Sequence, residues 1–137
     1  MASVVRQADV ATENITCENG MPAFLAYPSD GGKCPAIILM HERYGLVKHT
    51  RDQAMRCARD GFAVLAPNFF FKHADQRKLN AGDARYDMTD PESVAYLKAA
   101  IGTLKKVAAG FAFVPGVPVL AVSAKDGRNV RRILPAA

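Results

Sequence analysis

Paired cysteine spacing is missing from this chain. Cys17, Cys34 and Cys57 are an odd number at unrelated intervals, and no charged start followed by an apolar segment precedes them, so a reducing, cytoplasmic setting is expected. An aromatic-rich basic stripe is missing too. The net charge is +5, yet the Lys and Arg residues are scattered except for Lys125, Arg128, Arg131 and Arg132, and no nucleic-acid partner is expected. The one uncharged stretch near membrane length, Val107 to Ala124, contains Gly110, Pro115, Gly116 and Pro118, which break a helix repeatedly. It reads as a loop leading into a buried strand, with no membrane partner. His41 and Glu42 invite a metal, but His49 and His73 do not supply a His-Glu-x-x-His spacing, so neither a metal nor another cofactor is expected. Internal repeats, low-complexity tracts and linkers are likewise absent. A chain of 137 residues, half of them hydrophobic and 23% charged, is then one globular domain, residues 1–137.

What is present is organised around Pro35 to Tyr44. This short uncharged apolar run opens at Pro35, stops at His41 and Glu42 and is followed by Gly45, the pattern of a strand buried on both faces. In open parallel sheets ligands bind where such strands end, which makes a carboxylate at Glu42 a candidate site residue as well as an ordinary polar strand terminus. Ahead of it, Asn19-Gly20 lies between Ile15-Thr-Cys17 and Met21 to Tyr27 and suits the positive φ angles of a tight hairpin. Residues 1–13 are weakly patterned and fit an arm or an edge strand.

Behind it, Thr50 and Gln53 suggest a capping box, Ala54, Cys57 and Ala58 form a small apolar stripe, and Gly61 ends the helix. Phe62 to Pro67 is a second buried strand, so the order strand, helix, strand implies a right-handed parallel crossover. Asn68 to Met88 reads as a long irregular loop over a site. Asp90-Pro91-Glu92 then starts a helix with Asp90 as the cap, carrying Val94, Leu97, Ile101 and Leu104 at helical spacing and closing at Lys105-Lys106. Val117 to Val122 is a third buried strand, and Asp126-Gly127 a tight turn.

In this order, His41-Glu-Arg-Tyr-Gly45, Arg59-Asp-Gly-Phe-Ala-Val-Leu-Ala-Pro-Asn68 and the helix after Asp90 resemble the N-terminal half of a dienelactone hydrolase, from about Ile15 to Lys106. The resemblance implies a three-layer α/β-hydrolase fold with a mostly parallel sheet, truncated after the region of the nucleophile elbow. It implies that Glu42 lies beside a cysteine nucleophile and helps to activate it. The backbone N–H groups of Arg43 and Lys125 then stabilise the oxyanion, and Arg85 and Tyr86 lie near a substrate carboxylate.

The family's elbow pattern, Gly-x-Cys-x-x-Gly-Arg, overlays Val122 to Arg128 with Gly127 and Arg128 in register. Ala124 then stands at the cysteine position, and Ser123, one residue early, points to the opposite face. Cys17, Cys34 and Cys57 suit small packing positions better than an elbow. The family's Asp and His lie well downstream of Arg128, beyond the last residue of this sequence. The expected function is therefore that of a hydrolase of small-molecule esters or lactones whose nucleophile, Asp and His are missing, with little or no independent catalysis. Two alternatives stay open: a non-catalytic binding module that self-associates through the exposed sheet edge at the last strand, and a fragment of a longer hydrolase gene.

Overall fold

The structure is a computed structural model that describes residues 4–7, 9–30, 34–109 and 120–123, with side chains for 9–30 and 34–107. Its order is β1 (Val4–Gln7), β2 (Val10–Thr16), β3 (Pro22–Pro28), β4 (Ala36–Met40), α1 (Lys48–Arg59), β5 (Ala63–Pro67), α2 (Gln76–Ala81), α3 (Asp90–Ala109) and β6 (Leu120–Ser123). The six strands form one sheet ordered β1-β2-β3-β5-β4-β6. Pairing from β1 through β3 to β5 is antiparallel, whereas β5, β4 and β6 run parallel. The crossover expected from the order of strand and helix is thus present, and parallel pairing is confined to the half of the sheet around β4.

Successive β4 residues point to opposite faces, and both faces are covered. Ile37 and Leu39 join Ala54 and Ala58 of α1, with Phe24, Phe62 and Val64, in one apolar cluster. Ile38 joins Tyr96, Ala100 and Leu104 of α3, with Leu25 and Leu65, in the other. The result is the three-layer α/β arrangement expected from the sequence. The alanines let each helix lie close to the sheet, and the Val, Ile and Leu of the strands fill the space between.

Several local expectations are corrected. The hairpin is formed, but by a longer turn than a two-residue Asn-Gly turn: Gly20 N–H donates to the Cys17 carbonyl, Cys17 N–H to the Met21 carbonyl, and only then does the chain enter β3, with Gly20 at φ +87°. Helix α1 starts at Lys48 with Val47 as its N-cap and no side-chain cap. Thr50 lies inside the first turn and is buried at 1% exposure, so packing beneath the helix overrides its capping chemistry. In α3 the cap is Thr89 rather than Asp90, because the Thr89 hydroxyl accepts the Glu92 N–H at 3.3 Å. The buried face of α3 is Tyr96, Ala99, Ala100, Thr103 and Leu104, and Val94 is 51% exposed. Asn68 to Met88 is not wholly irregular: α2 forms within it, capped by the Asp75 side chain on Lys78 N–H and ended by Gly82 at φ +83°. The C-terminal turn expected at Asp126-Gly127 lies outside the described residues.

Candidate functional site

Strand β4 ends at Met40, and the next five residues make a tight turn at the carboxyl edge of the sheet. The turn closes through Gly45 N–H, which donates to the Glu42 carbonyl at 3.1 Å, with Gly45 at φ +80°. A Cβ at Gly45 would come within 3.4 Å of Asn80 and Leu79 of α2, and one at Gly82 within 3.0 Å of the Tyr44 ring. The helix that the sequence did not reveal therefore buttresses the turn from outside. Asn68, just past β5, extends the brace: its side-chain amide donates to Gln76, and Gln76 donates in turn to the carbonyls of Phe70 and His73.

Glu42 sits on this turn with its side chain about one quarter exposed, and its Oε1 is 3.9 Å from Nε2 of His49 in α1. The Arg43 side chain is drawn outward, its guanidinium 4.5 Å from the Tyr44 ring centroid and donating to the Tyr44 hydroxyl at 3.1 Å. Among the described residues, the Arg43 backbone N–H has no hydrogen-bond acceptor. Two groups of opposite use are thus side by side at the strand end, a carboxylate and an unengaged N–H donor. The first can accept a proton and the second can stabilise developing negative charge.

The last strand reaches the same edge. In the parallel register of β4 and β6, Met40 pairs with Ser123 and Leu39 with Val122. Strand β6 thus ends at Ser123 beside the end of β4 at Met40. Lys125, Ala124, Gly127 and Arg128 lie outside the described residues.

The two residues expected near a substrate carboxylate part company. Arg85 is exposed and, among the described residues, makes no hydrogen bond or ion pair. Tyr86 stacks on Phe70, with ring centroids 5.0 Å apart, and its hydroxyl donates to Glu92 Oε1 at 2.6 Å. The carboxylate acceptor holds the phenol well above its usual range. Phe70 in turn packs edge-on against His41, next to Glu42. Tyr86 therefore reaches the site through two rings, and Arg85 faces solvent.

On the α3 side of the edge, Met40, His41, Phe69, Phe70, Met88 and Val94 line an open groove of about 320 Å³. None of the site residues expected from the sequence lines this groove, and His41 was weighed only as a metal ligand. The signal was available in Phe69-Phe70-Phe71, an aromatic run directly after a buried strand. Among the described residues no cluster of His, Cys, Asp or Glu has the arrangement of a metal site, and no helix is long and apolar enough to cross a membrane.

A mixed sheet covered by helices on both faces, with parallel strands around β4, is the architecture of an α/β-hydrolase. The chain belongs to the dienelactone hydrolase family, whose model matches residues 21–114. A Methylorubrum extorquens protein provisionally named a carboxymethylenebutenolidase is 30% identical over 86 residues, 56% of this chain and 30% of that protein. One from Escherichia coli K12, with the same provisional name, is 34% identical over 58 residues, 42% of this chain and 21% of its own.

Among solved structures, a Klebsiella pneumoniae protein provisionally described as a dienelactone hydrolase superposes with a TM-score of 0.57 at 21% identity, over 85% of this chain and 50% of its own. A dienelactone hydrolase-like promiscuous phosphotriesterase from metagenomic libraries superposes with a TM-score of 0.52 at 18% identity, over 85% of this chain and 49% of its own. At these identities the likeness is one of fold. This chain spans about half the length of those structures, and less than a third of the two curated relatives above.

Proposed function

We propose that this chain builds the carboxylate-and-oxyanion half of an ester- or lactone-hydrolysing site. The observation that carries the reading is the pairing of Glu42 with the unengaged Arg43 N–H at the carboxyl end of β4, alongside the end of β6. In the full reaction a nucleophile adds to the carbonyl carbon, and negative charge collects on the carbonyl oxygen. The N–H groups of Arg43 and Lys125 hold that oxygen, the alkoxide leaves, and water hydrolyses the acyl-enzyme. Glu42 serves the nucleophile by taking its proton. Arg85 and Tyr86 serve a substrate carboxylate, which Arg85 reaches only by folding in from solvent.

Alanine at position 124 removes the group that would attack, so the 137-residue chain by itself forms no acyl-enzyme. The test is hydrolysis of p-nitrophenyl acetate and of a dienelactone by the purified chain, with Glu42→Gln and Ser123→Ala alongside. The expected rate for all three proteins is that of buffer. Turnover that collapses in both variants would overturn the reading and make Ser123 a nucleophile.

A further inference from the structure

We infer that His41 is a positioning residue: through its Nδ1–H it fixes the plane of the Glu42–Arg43 peptide and so aims the Arg43 N–H. The inference deepens the hydrolase reading and rests on it for the use to which that N–H is put, though not for the geometry itself. His41 lies between two partners of opposite kind. Its Nδ1 is 2.6 Å from the Glu42 carbonyl oxygen, which can only accept, and its Nε2 is 2.9 Å from the Phe69 backbone nitrogen, which can only donate. One protonation state satisfies both, the neutral ring with its hydrogen on Nδ1 and its lone pair on Nε2. An imidazolium would set an Nε2–H against the Phe69 N–H, and the other neutral tautomer would fail at both nitrogens.

The consequence for Arg43 follows from the peptide bond. The chain has no cis peptide among its described residues, so the Glu42 carbonyl and the Arg43 N–H lie in one plane and point in opposite directions. The Glu42 oxygen is held twice, by His41 Nδ1–H and by Gly45 N–H at 3.1 Å. Holding that oxygen fixes the direction of the N–H on the far side. The imidazole is itself prevented from turning: Phe69 and Phe70 contact it edge-on, with centroids 5.7 and 4.7 Å away, and Tyr86, tied to Glu92, stacks behind Phe70. His41 thus connects the end of β4 to the start of the segment after β5, the two places where a hydrolase edge is assembled. Burial also disfavours its charged form and lowers its pKa from the ordinary 6.5.

A preorganised donor of this kind differs from a simple staple in one measurable way: the state of the ring must be felt at Arg43 as well as at Phe69. The experiment is ¹⁵N NMR of the full chain. Long-range ¹⁵N–¹H correlation at pH 7.5 is expected to show the His41 proton on Nδ1. On acidification the amide signals of Arg43 and Phe69 should move with the His41 midpoint, below 6.5. The other titrating groups nearby are Glu42 itself, His49 against Glu42, His73 and Tyr86 around Phe70, and Glu92 beyond Tyr86. Repeating the titration in His49→Gln and His73→Gln removes the other two imidazoles.

Rescue by shape separates the two bonds. His41→Asn keeps a donor at the Nδ1 position, so the Arg43 signal should stay near its wild-type place without titrating, while Phe69 amide exchange rises about tenfold for the lost acceptor. His41→Gln should do the reverse, sparing Phe69 and moving Arg43. A proton found on Nε2, or an Arg43 signal indifferent to a His41 transition that Phe69 follows, would overturn the assignment. The tautomer is read on the unaltered chain, so it stands even where a variant does not fold. No substrate enters any of these readouts, so their outcome is independent of whether the chain hydrolyses an ester.

Discussion

The two faces of the sheet are finished to different degrees. On the α1 face Leu39, Ala54, Ala58, Phe62 and Val64 are all nearly inaccessible, and among the described residues no large apolar side chain is left exposed there. On the α3 face the inner part is equally closed around Ile38, Leu65, Ala100 and Leu104. Toward the carboxyl edge, however, Val94 is 51% and Met40 40% exposed, and the groove beside His41 lies open. Stability and site are thereby separated in space. The covered face fixes where β4 lies, and the open corner is where its last residues are offered to whatever completes the edge.

The contrast is sharpest in Leu39→Ala, on the closed face, which should cost about 2–5 kcal/mol in urea or thermal unfolding, because a fully packed side chain leaves a cavity that cannot collapse. A cost well below that range would mean the face is looser than its burial indicates. Gly45→Ala attacks the site turn itself, outside the two apolar clusters of the sheet. It forces a side chain into φ +80° against Asn80 and Leu79, at about 1–3 kcal/mol by the same measurement. Thr103→Val tests how firmly the hairpin turn is tied to α3, since the Thr103 hydroxyl accepts the Glu18 N–H at 3.0 Å and donates to the Ala99 carbonyl at 2.9 Å. A loss of about 1 kcal/mol is expected. Val94→Ala, at the open corner, should change stability by less than about 0.5 kcal/mol. A loss above 1 kcal/mol there would show that the corner is packed in solution and erase the difference between the faces.

Much of this was legible in the residues. β4, α1, β5 and α3 were found because uninterrupted apolar runs and helical stripes are bounded by Pro, Gly and Asp. Glu42 stood out because a charge directly follows such a run. The buried side of α3 was legible in part: Leu104 is buried and Leu97 and Ile101 pack against the core, as their spacing indicates, whereas Val94 is exposed. Ala99, Ala100 and Thr103 were missed because small residues that let the helix lie close carry little periodic signal. Helix α2 was missed because its six residues bury one apolar side chain, Leu79, although Asp75 ahead and Gly82 behind are ordinary start and stop residues.

At the site, the contribution of Arg43 came from family resemblance. Its free N–H is consistent with that contribution, as no pattern in the residues alone would be. The part played by His41 depends on a contact across 28 residues, between two loops, and nothing in the local pattern around either loop announces it.

The claim that this edge is half of a hydrolase site is tested most directly by giving it the missing group. On this account Ala124→Cys should form a thiolate, attack p-nitrophenyl acetate with formation of a C–S bond, and release one equivalent of p-nitrophenolate in a burst. The native thiols give a low background, because burial pushes Cys17, Cys34 and Cys57 above their usual range. The account predicts a burst from Ala124→Cys that slows at least about tenfold when Glu42→Gln is added, a loss within the usual contribution of a positioned base. A folded Ala124→Cys protein that reacts no faster than the unaltered chain, or equally fast without Glu42, would contradict it.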